Sequence, residues 1–335
     1  MIKVSVVGIT GFTGLELIKI LINHKDVEIS HICSRSYNHE PVSKIYPQFK
    51  GVFDKVIEPI DAGKLETSDV VFLALPHTVS AHIAKALFKK TKIIDLSADF
   101  RLKSPDIYKK WYQVEHPAPE LLKEAVYGLV ELNRNKIKGS CLVANPGCYA
   151  TSVILAVAPV VNLIDGVVIA DSKSGVSGAG RAAKEGLQFC EVNENFKAYS
   201  VDGHRHIPEM EQELKKINGD IEISFVPHLL PVQRGILSTI YLKVKRERDF
   251  IDVYSNFYQN DYFVRIVGTP PSLNSVNGTN FCDIYPYYDK RTKRLIVVSV
   301  IDNLIKGASG QAVQNMNVML SLDEKEGLRG YIHYP

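Results

Sequence analysis

Gly8-Ile9-Thr10-Gly11-Phe12-Thr13-Gly14 constrains this chain more than any other segment. It follows an apolar run, Ile2–Val7, that reads as a strand, and it opens an amphipathic pattern over 12–23 that reads as a helix. Glycines at such a junction permit a tight turn and let backbone N–H groups approach a pyrophosphate. The helix N-terminus adds favourable partial positive charge. The spacing is G-x-x-G-x-x-G rather than the strict G-x-G-x-x-G, and a plain strand–helix turn uses glycine too. Position therefore carries the argument, because the triplet starts a βαβ series. Strands are expected at 27–33, 69–75, 92–96 and 141–144, with a helix at 79–89.

The second half has a different texture. Residues 167–172, 221–226, 236–244, 262–267 and 295–301 read as strands, with helices expected at 181–190, 208–217 and 250–258 and a last one at 308–321. The expected architecture is α/β: a Rossmann-type dinucleotide-binding domain at 1–147, then an α+β domain at 148–306 on a mostly antiparallel sheet. With 335 residues, two domains is also what length suggests.

The end of the second strand bears on the choice of dinucleotide. An NAD site carries Asp or Glu there to accept from the ribose 2′-OH, whereas this chain has Ser34-Arg35-Ser36. A guanidinium flanked by hydroxyls suits a 2′-phosphate, which points to NADP(H).

Asn145-Pro146-Gly147-Cys148-Tyr149-Ala150-Thr151 is the most chemically loaded segment. Pro146 and Gly147 turn a strand sharply into a helix running from Cys148 to about residue 161. A thiol at that position is stabilised as thiolate by free N–H groups and the helix dipole. Cys33, Cys141, Cys190 and Cys282 read instead as small hydrophobes. The nucleophile needs a proton acceptor, and Gly203-His204-Arg205-His206-Ile207-Pro208-Glu209 offers two. In an extended stretch His204 and His206 share a face and Arg205 points away. Pro208 is expected at the first helical position, with Glu209 and Glu211 in the first turn.

Ser174-Gly175-Val176-Ser177-Gly178-Ala179-Gly180-Arg181 is a second glycine-rich loop, fit to carry phosphate or to let backbone approach a nicotinamide ring. Arg234, in Pro231-Val232-Gln233-Arg234-Gly235, is placed to pair a substrate carboxylate through both arms of its guanidinium.

Composition excludes other classes. The net charge of +3 gives no reason to expect a nucleic-acid or membrane partner, and the basic clusters 243–248 and 290–294 lack interleaved aromatics and read as solvated strand ends or turns. Five widely spaced cysteines without a C-x-x-C pair suggest neither a metal site nor a disulfide framework, and free thiols fit a cytoplasmic location.

Together with Leu75-Pro76-His77, the run Asp95-Leu96-Ser97-Ala98-Asp99-Phe100-Arg101 and Tyr127-Gly128-Leu129, these segments resemble the N-acetyl-γ-glutamyl-phosphate reductase family of the aspartate-semialdehyde dehydrogenase-like superfamily. The resemblance covers nearly the whole chain; Val130 stands where the family commonly has Pro. It implies NADPH-dependent reduction of an acyl phosphate to an aldehyde, in arginine biosynthesis, through a thioester on Cys148. His206 is favoured as acid/base with His204 beside it in substrate binding, a choice the residues leave open. The resemblance also places Pro76, Ser177, Gly178, Ala179, Gly180 and Asn303 on the cofactor, and Asn145, Arg101 and Arg205 on the substrate. It implies no metal, a homodimer or homotetramer, and a C-terminal segment, 307–335, packing back on the nucleotide domain. Two alternatives share much of this pattern: the lysine-biosynthesis relative acting on carrier-bound aminoadipyl phosphate, and a non-catalytic NADP-binding redox sensor. The His-Arg-His segment argues against an aspartyl phosphate substrate.

Overall fold

The computed structural model describes residues 1–329, and these divide into two compact units: Met1–Pro146 with Ala308–Arg329, and Gly147–Gly307. Of the C-terminal segment expected to pack back on the first unit, residues 330–335 lie outside the described residues.

The first unit is built on six parallel strands: β1 (Ile2–Val7), β2 (Val27–Cys33), β3 (Val70–Leu73), β4 (Lys92–Asp95), β5 (Val126–Tyr127) and β6 (Leu142–Ala144). Their order is β2-β1-β3-β4-β6-β5, so the direction of winding reverses between β1 and β3. That reversal opens the crevice where doubly wound sheets bind ligands, at the carboxyl ends of the strands. β3 and β6 are buried at every position, as a parallel sheet covered on both faces demands. The helix Gly310–Met319 belongs to this unit and packs on the helices Phe12–Leu21 and Val130–Ile137. All ten of its residues are buried, including Gln311 and Asn315, whose amides both donate to the Gly128 carbonyl. A side chain at Gly128 would meet Asn315 Nδ2 at 2.6 Å, which explains the glycine in Tyr127-Gly128-Leu129.

The second unit carries seven strands: β7 (Val168–Gly175), β8 (Lys197–Ala198), β9 (Ile223–Leu230), β10 (Ile236–Lys243), β11 (Val264–Ile266), β12 (Cys282–Asp289) and β13 (Arg294–Ile301), in the order β11-β12-β13-β10-β7-β9-β8. Four of the pairings are antiparallel and two are parallel, a mostly antiparallel mixed sheet. On it lies the helix Cys148–Val157, buried from Tyr149 onward. Four buried serines tie helix to sheet: the Ser152 hydroxyl bonds those of Ser238 and Ser299, and Ser172 bonds Ser238. Tyr254 and Tyr258 donate to the carbonyls of Ala156 and Leu155, satisfying the far end of the helix.

Two helix expectations are corrected. The Cys148 helix ends at Val157, not near 161; Pro159 forces the tighter turn Ala158–Leu163. Residues 181–190 do not form one helix. They give only the single turn Glu185–Leu187 and the start of Phe189–Val192, because nearly every side chain there is exposed and no apolar stripe anchors a helix.

Candidate active site

Cys148 is the first residue of its helix, behind an extended Gly147 (φ −70°, ψ 146°). Cys148 is partly exposed. Two neighbours set its position. The Gly147 N–H donates to Oε1 of Glu209 at 2.7 Å, and Glu209 is 1% exposed. On another side Gly307 presses so closely that a side chain there would meet Cys148 Cβ at 2.8 Å.

Both imidazoles come to this thiol's neighbour. The rings of His204 and His206 lie 4.8 Å apart, edge to face, and each meets the Tyr149 ring, at 5.6 and 6.0 Å. Extended alternation is not the cause. His206 has helical dihedrals (φ −85°, ψ −11°), and the segment turns tightly, with the Ile207 N–H on the His204 carbonyl. The His206 N–H donates to His204 Nδ1 at 3.1 Å, which leaves the His204 proton on Nε2. Burial, helped by the Arg205 charge, pushes the His204 pKa down to about 4. His204 is therefore neutral at physiological pH. The following helix, Ile207–Lys215, starts one residue before Pro208, and Arg205 is exposed. Sequence reasoning missed Tyr149, Tyr199 and Phe225 as walls of this cluster. Tyr149 and Tyr199 bond through their hydroxyls at 3.0 Å, and burial drives the Tyr199 pKa to about 12.

Arg234 does pair a carboxylate through both arms, but that carboxylate is Asp302 of the same chain, fully buried, at 3.1 and 3.2 Å. A partner on the same chain thus takes both arms of the guanidinium that the sequence offers to a substrate carboxylate. Asp302 also accepts the N–H groups of Gly278, Leu304 and Ile305, so one buried anion gathers three segments. Asn303 beside it accepts the Gly235 N–H and donates to Ser177 Oγ. The glycine-rich loop is pinned from Gly175 to Ser177, where Val176 and Ser177 bond the Val232 and Gln233 carbonyls; Gly178, Ala179 and Gly180 then emerge into solvent.

In the first unit the glycine turn depends on missing side chains. A Cβ at Gly8 (φ +97°) would overlap the Ala74 carbonyl oxygen, and one at Gly14 would sit 2.6 Å from Ile9 Cα. Gly11 caps the helix with extended dihedrals. Thr10 Oγ1 bonds Ser34 Oγ at 3.1 Å, and Ser34 is buried while Arg35 and Ser36 are exposed. Phe12 and Thr13 begin the helix, and the Thr13 carbonyl accepts from Ser309. Pro76 is exposed at the end of the β3 loop. These features fit a dinucleotide: backbone is bare where a pyrophosphate approaches, and a cation rather than a carboxylate follows β2.

Two residues that the family resemblance assigns to the substrate have internal partners. Arg101 is buried, with Nε on the Asn145 carbonyl at 2.8 Å and Nη2 on the Leu96 carbonyl at 2.9 Å. Asn145 is 1% exposed; its amide donates to Ala308 and accepts from Asn315. Both act as struts that shape the turn into Pro146. Among the described residues no group of three or more His, Cys, Asp or Glu is arranged to hold a metal ion, and no helix is long and apolar enough to cross a membrane.

Comparison with known proteins agrees with this geometry. Residues 3–140 match the NAD binding domain of the semialdehyde dehydrogenases, and residues 148–303 match their dimerisation domain. The N-acetyl-gamma-glutamyl-phosphate reductase of Thermoanaerobacter sp. is 50% identical over 100% of both chains, and that of Halothermothrix orenii 49% identical over 98% of both. Among solved structures, aspartate semialdehyde dehydrogenase II from Vibrio cholerae complexed with ASA superposes with a TM-score of 0.70 at 15% identity, covering 95% of this chain and 98% of that one. The Candida albicans aspartate semialdehyde dehydrogenase with NADP gives 0.71 at 16%, with the same coverage. Those two likenesses establish the fold. The two domain matches and the full-length relatives establish the rest: this chain belongs to the semialdehyde dehydrogenase family, among its N-acetyl-gamma-glutamyl-phosphate reductases.

Proposed function

We propose that the protein reduces N-acetyl-L-glutamyl 5-phosphate to N-acetyl-L-glutamate 5-semialdehyde with NADPH, releasing phosphate, as a cytoplasmic homodimer or homotetramer in arginine biosynthesis. The observation that carries this reading is a thiol at a helix start, with two imidazoles against the ring of the next residue, Tyr149, in a chain about half identical over its full length to reductases of that name.

Cys148 is the nucleophile. Its thiolate bonds to the acyl carbon, the carbon–oxygen bond to phosphate breaks, and the phosphate leaves with a proton from solvent. When bound, NADPH supplies the hydride that turns the resulting thioester into a thiohemiacetal. His206, protonated while the thiol is ionised, gives its proton to the oxygen that becomes negative. It then takes back the hydroxyl proton as the carbon–sulfur bond breaks and aldehyde departs, leaving thiolate and imidazolium for the next turnover. His204, neutral, holds the His206 backbone through Nδ1 and presents Nε2–H as a hydrogen-bond donor for substrate. Glu209 keeps the Gly147 amide, and so the helix start, in place.

Gly8, Thr10, Gly11, Phe12, Thr13 and Gly14 bind the pyrophosphate side of NADPH, and Ser34, Arg35 and Ser36 bind its 2′-phosphate. Pro76, Ser177, Gly178, Ala179, Gly180 and Asn303 serve the cofactor as well, and exposed Arg205 serves the anionic substrate. Residues 1–147, with the helix Gly310–Met319, form the nucleotide-binding domain and 148–306 the catalytic one.

The test is phosphate-dependent reduction of NADP by N-acetylglutamate semialdehyde, read at the NADPH absorbance. Cys148→Ser should lower kcat by at least about a thousand-fold while NADPH binds as before. Retained turnover would remove the thioester route. Equal or better turnover of the aminoadipate semialdehyde would replace the substrate.

A further inference from the structure

Thr78 holds a backbone conformation that a β-branched residue rarely takes, with φ +69° and ψ −43°. It caps the helix Val79–Leu87, yet its own side chain makes no capping bond. The cap comes from Asp99, 21 residues away on the loop after β4. Asp99 is fully buried; its Oδ1 accepts the Thr78 N–H at 2.8 Å and its Oδ2 the Ala81 N–H at 2.9 Å. One carboxylate thus satisfies two amides at the helix start and places its charge at the favourable end of the dipole. It is itself held from behind, by the Tyr108 hydroxyl at 2.6 Å, while His116 Nε2 bonds the Asp99 carbonyl at 2.7 Å.

The restrained turn lies where a dinucleotide would pass. Pro76, His77 and Thr78 follow β3, and the bare backbone of Gly8 at the end of β1 touches Ala74 at the start of the same loop. β1 and β3 flank the reversal of strand order, whose carboxyl ends form the ligand crevice. Strain of this kind persists only where the surroundings over-determine it, and here they do so beside that crevice.

We infer that Asp99 is a positioning residue for the cofactor: it clamps the 76–78 turn in its strained shape so that the turn forms one wall of the dinucleotide crevice. The inference rests on the NADPH reading above, so the native chain is first titrated with NADPH by fluorescence; failure to bind would sink that reading and this one together. Asp99→Asn keeps the volume but sets an NH2 group against an amide donor. It should raise the NADPH Kd by about ten-fold, the loss of roughly one charge-assisted hydrogen bond, with kcat at saturating NADPH little changed. Hydrogen exchange at the amides of residues 78–81 should lose its protection. In a Thr78→Gly background the same change should cost less than about three-fold, because glycine reaches positive φ without strain.

Unchanged exchange at 78–81 in Asp99→Asn overturns the clamp. Lost protection with an unchanged Kd overturns the wall, leaving NADPH binding itself intact. An equal cost in both backgrounds overturns the link through Thr78. Should Asp99→Asn fail to fold, Thr78→Gly alone decides: with Asp99 in place the Kd should stay within about three-fold of native. A loss of about ten-fold or more would mean that the threonine side chain, not the clamped backbone, serves the cofactor.

Discussion

In the first unit the proposed cofactor turn is made of backbone, at glycines whose added Cβ atoms would overlap Ala74 and Ile9. In the second, the proposed site is made of side chains converging on one helix start: Cys148 from the chain after β6, His204 and His206 from a turn, and Glu209 from the helix behind them. A backbone site is local, so a short motif specifies it almost completely. A convergent site depends on packing, and its members acquire roles from what they touch. Arg234 shows the difference, since its partner, Asp302, is 68 residues away.

The sharpest test of convergence is to separate the two imidazoles. His206→Asn should lower kcat by about 10²–10⁴-fold, the worth of a positioned acid/base group, with NADPH affinity unchanged. His204→Asn should cost far less in kcat and should not move the acid limb of the rate profile, since His204 is still neutral at pH 5. Equal losses would merge the two roles. A titration of the His204 ring by NMR should show a midpoint near 4. Its folded pKa lies below the ordinary histidine value, so its contribution to stability is complete above about pH 6.5 and is lost as pH falls toward 4.

The backbone site makes a smaller, more selective prediction. Arg35 is exposed and follows β2, so Arg35→Ser should leave NADH binding alone and weaken NADPH by about 10–100-fold, as expected for lost charge-assisted hydrogen bonds to a phosphate. An equal effect on both cofactors would detach Arg35 from the 2′-phosphate.

The smallest expected effect concerns a buried group in neither site. Asp95 is fully buried; burial, with the Asp99 charge next, lifts its pKa to about 7. The folded state therefore holds a proton that the unfolded chain has already released above about pH 4. Stability falls as pH rises from there toward 7 and levels off beyond it. Thermal melts of Asp95→Asn should lack this decline, shifting Tm at pH 8 upward by a few degrees relative to native. A native melt that is flat between pH 5 and 8 would refute the assignment.

Much of this was legible in the residues. The glycine triplet, the absent carboxylate after β2 and the Pro146-Gly147-Cys148 junction each depend on neighbours within a few positions, and the structure places them as local chemistry requires. The His pair was legible as a pair, but its geometry was misread as extended, because the turn is set by contacts with Tyr149 and Phe225. Helix 181–190 failed for the opposite reason: local propensity was present, and no packing surface came to meet it.

The sequence by itself indicated most strands of both units, the glycine turn after β1, the start of a helix at Cys148 and the family. Those follow from periodicity, missing side chains and short-range sterics. Tertiary structure alone decided that Arg101 bonds the Asn145 carbonyl, that Asn145 bonds Ala308, that Arg234 pairs Asp302, that His204 is neutral while lying against His206, and that Asp99 caps a helix begun by a strained Thr78. Each of those outcomes depends on burial and on a partner distant in sequence, and both exist only once the chain has folded.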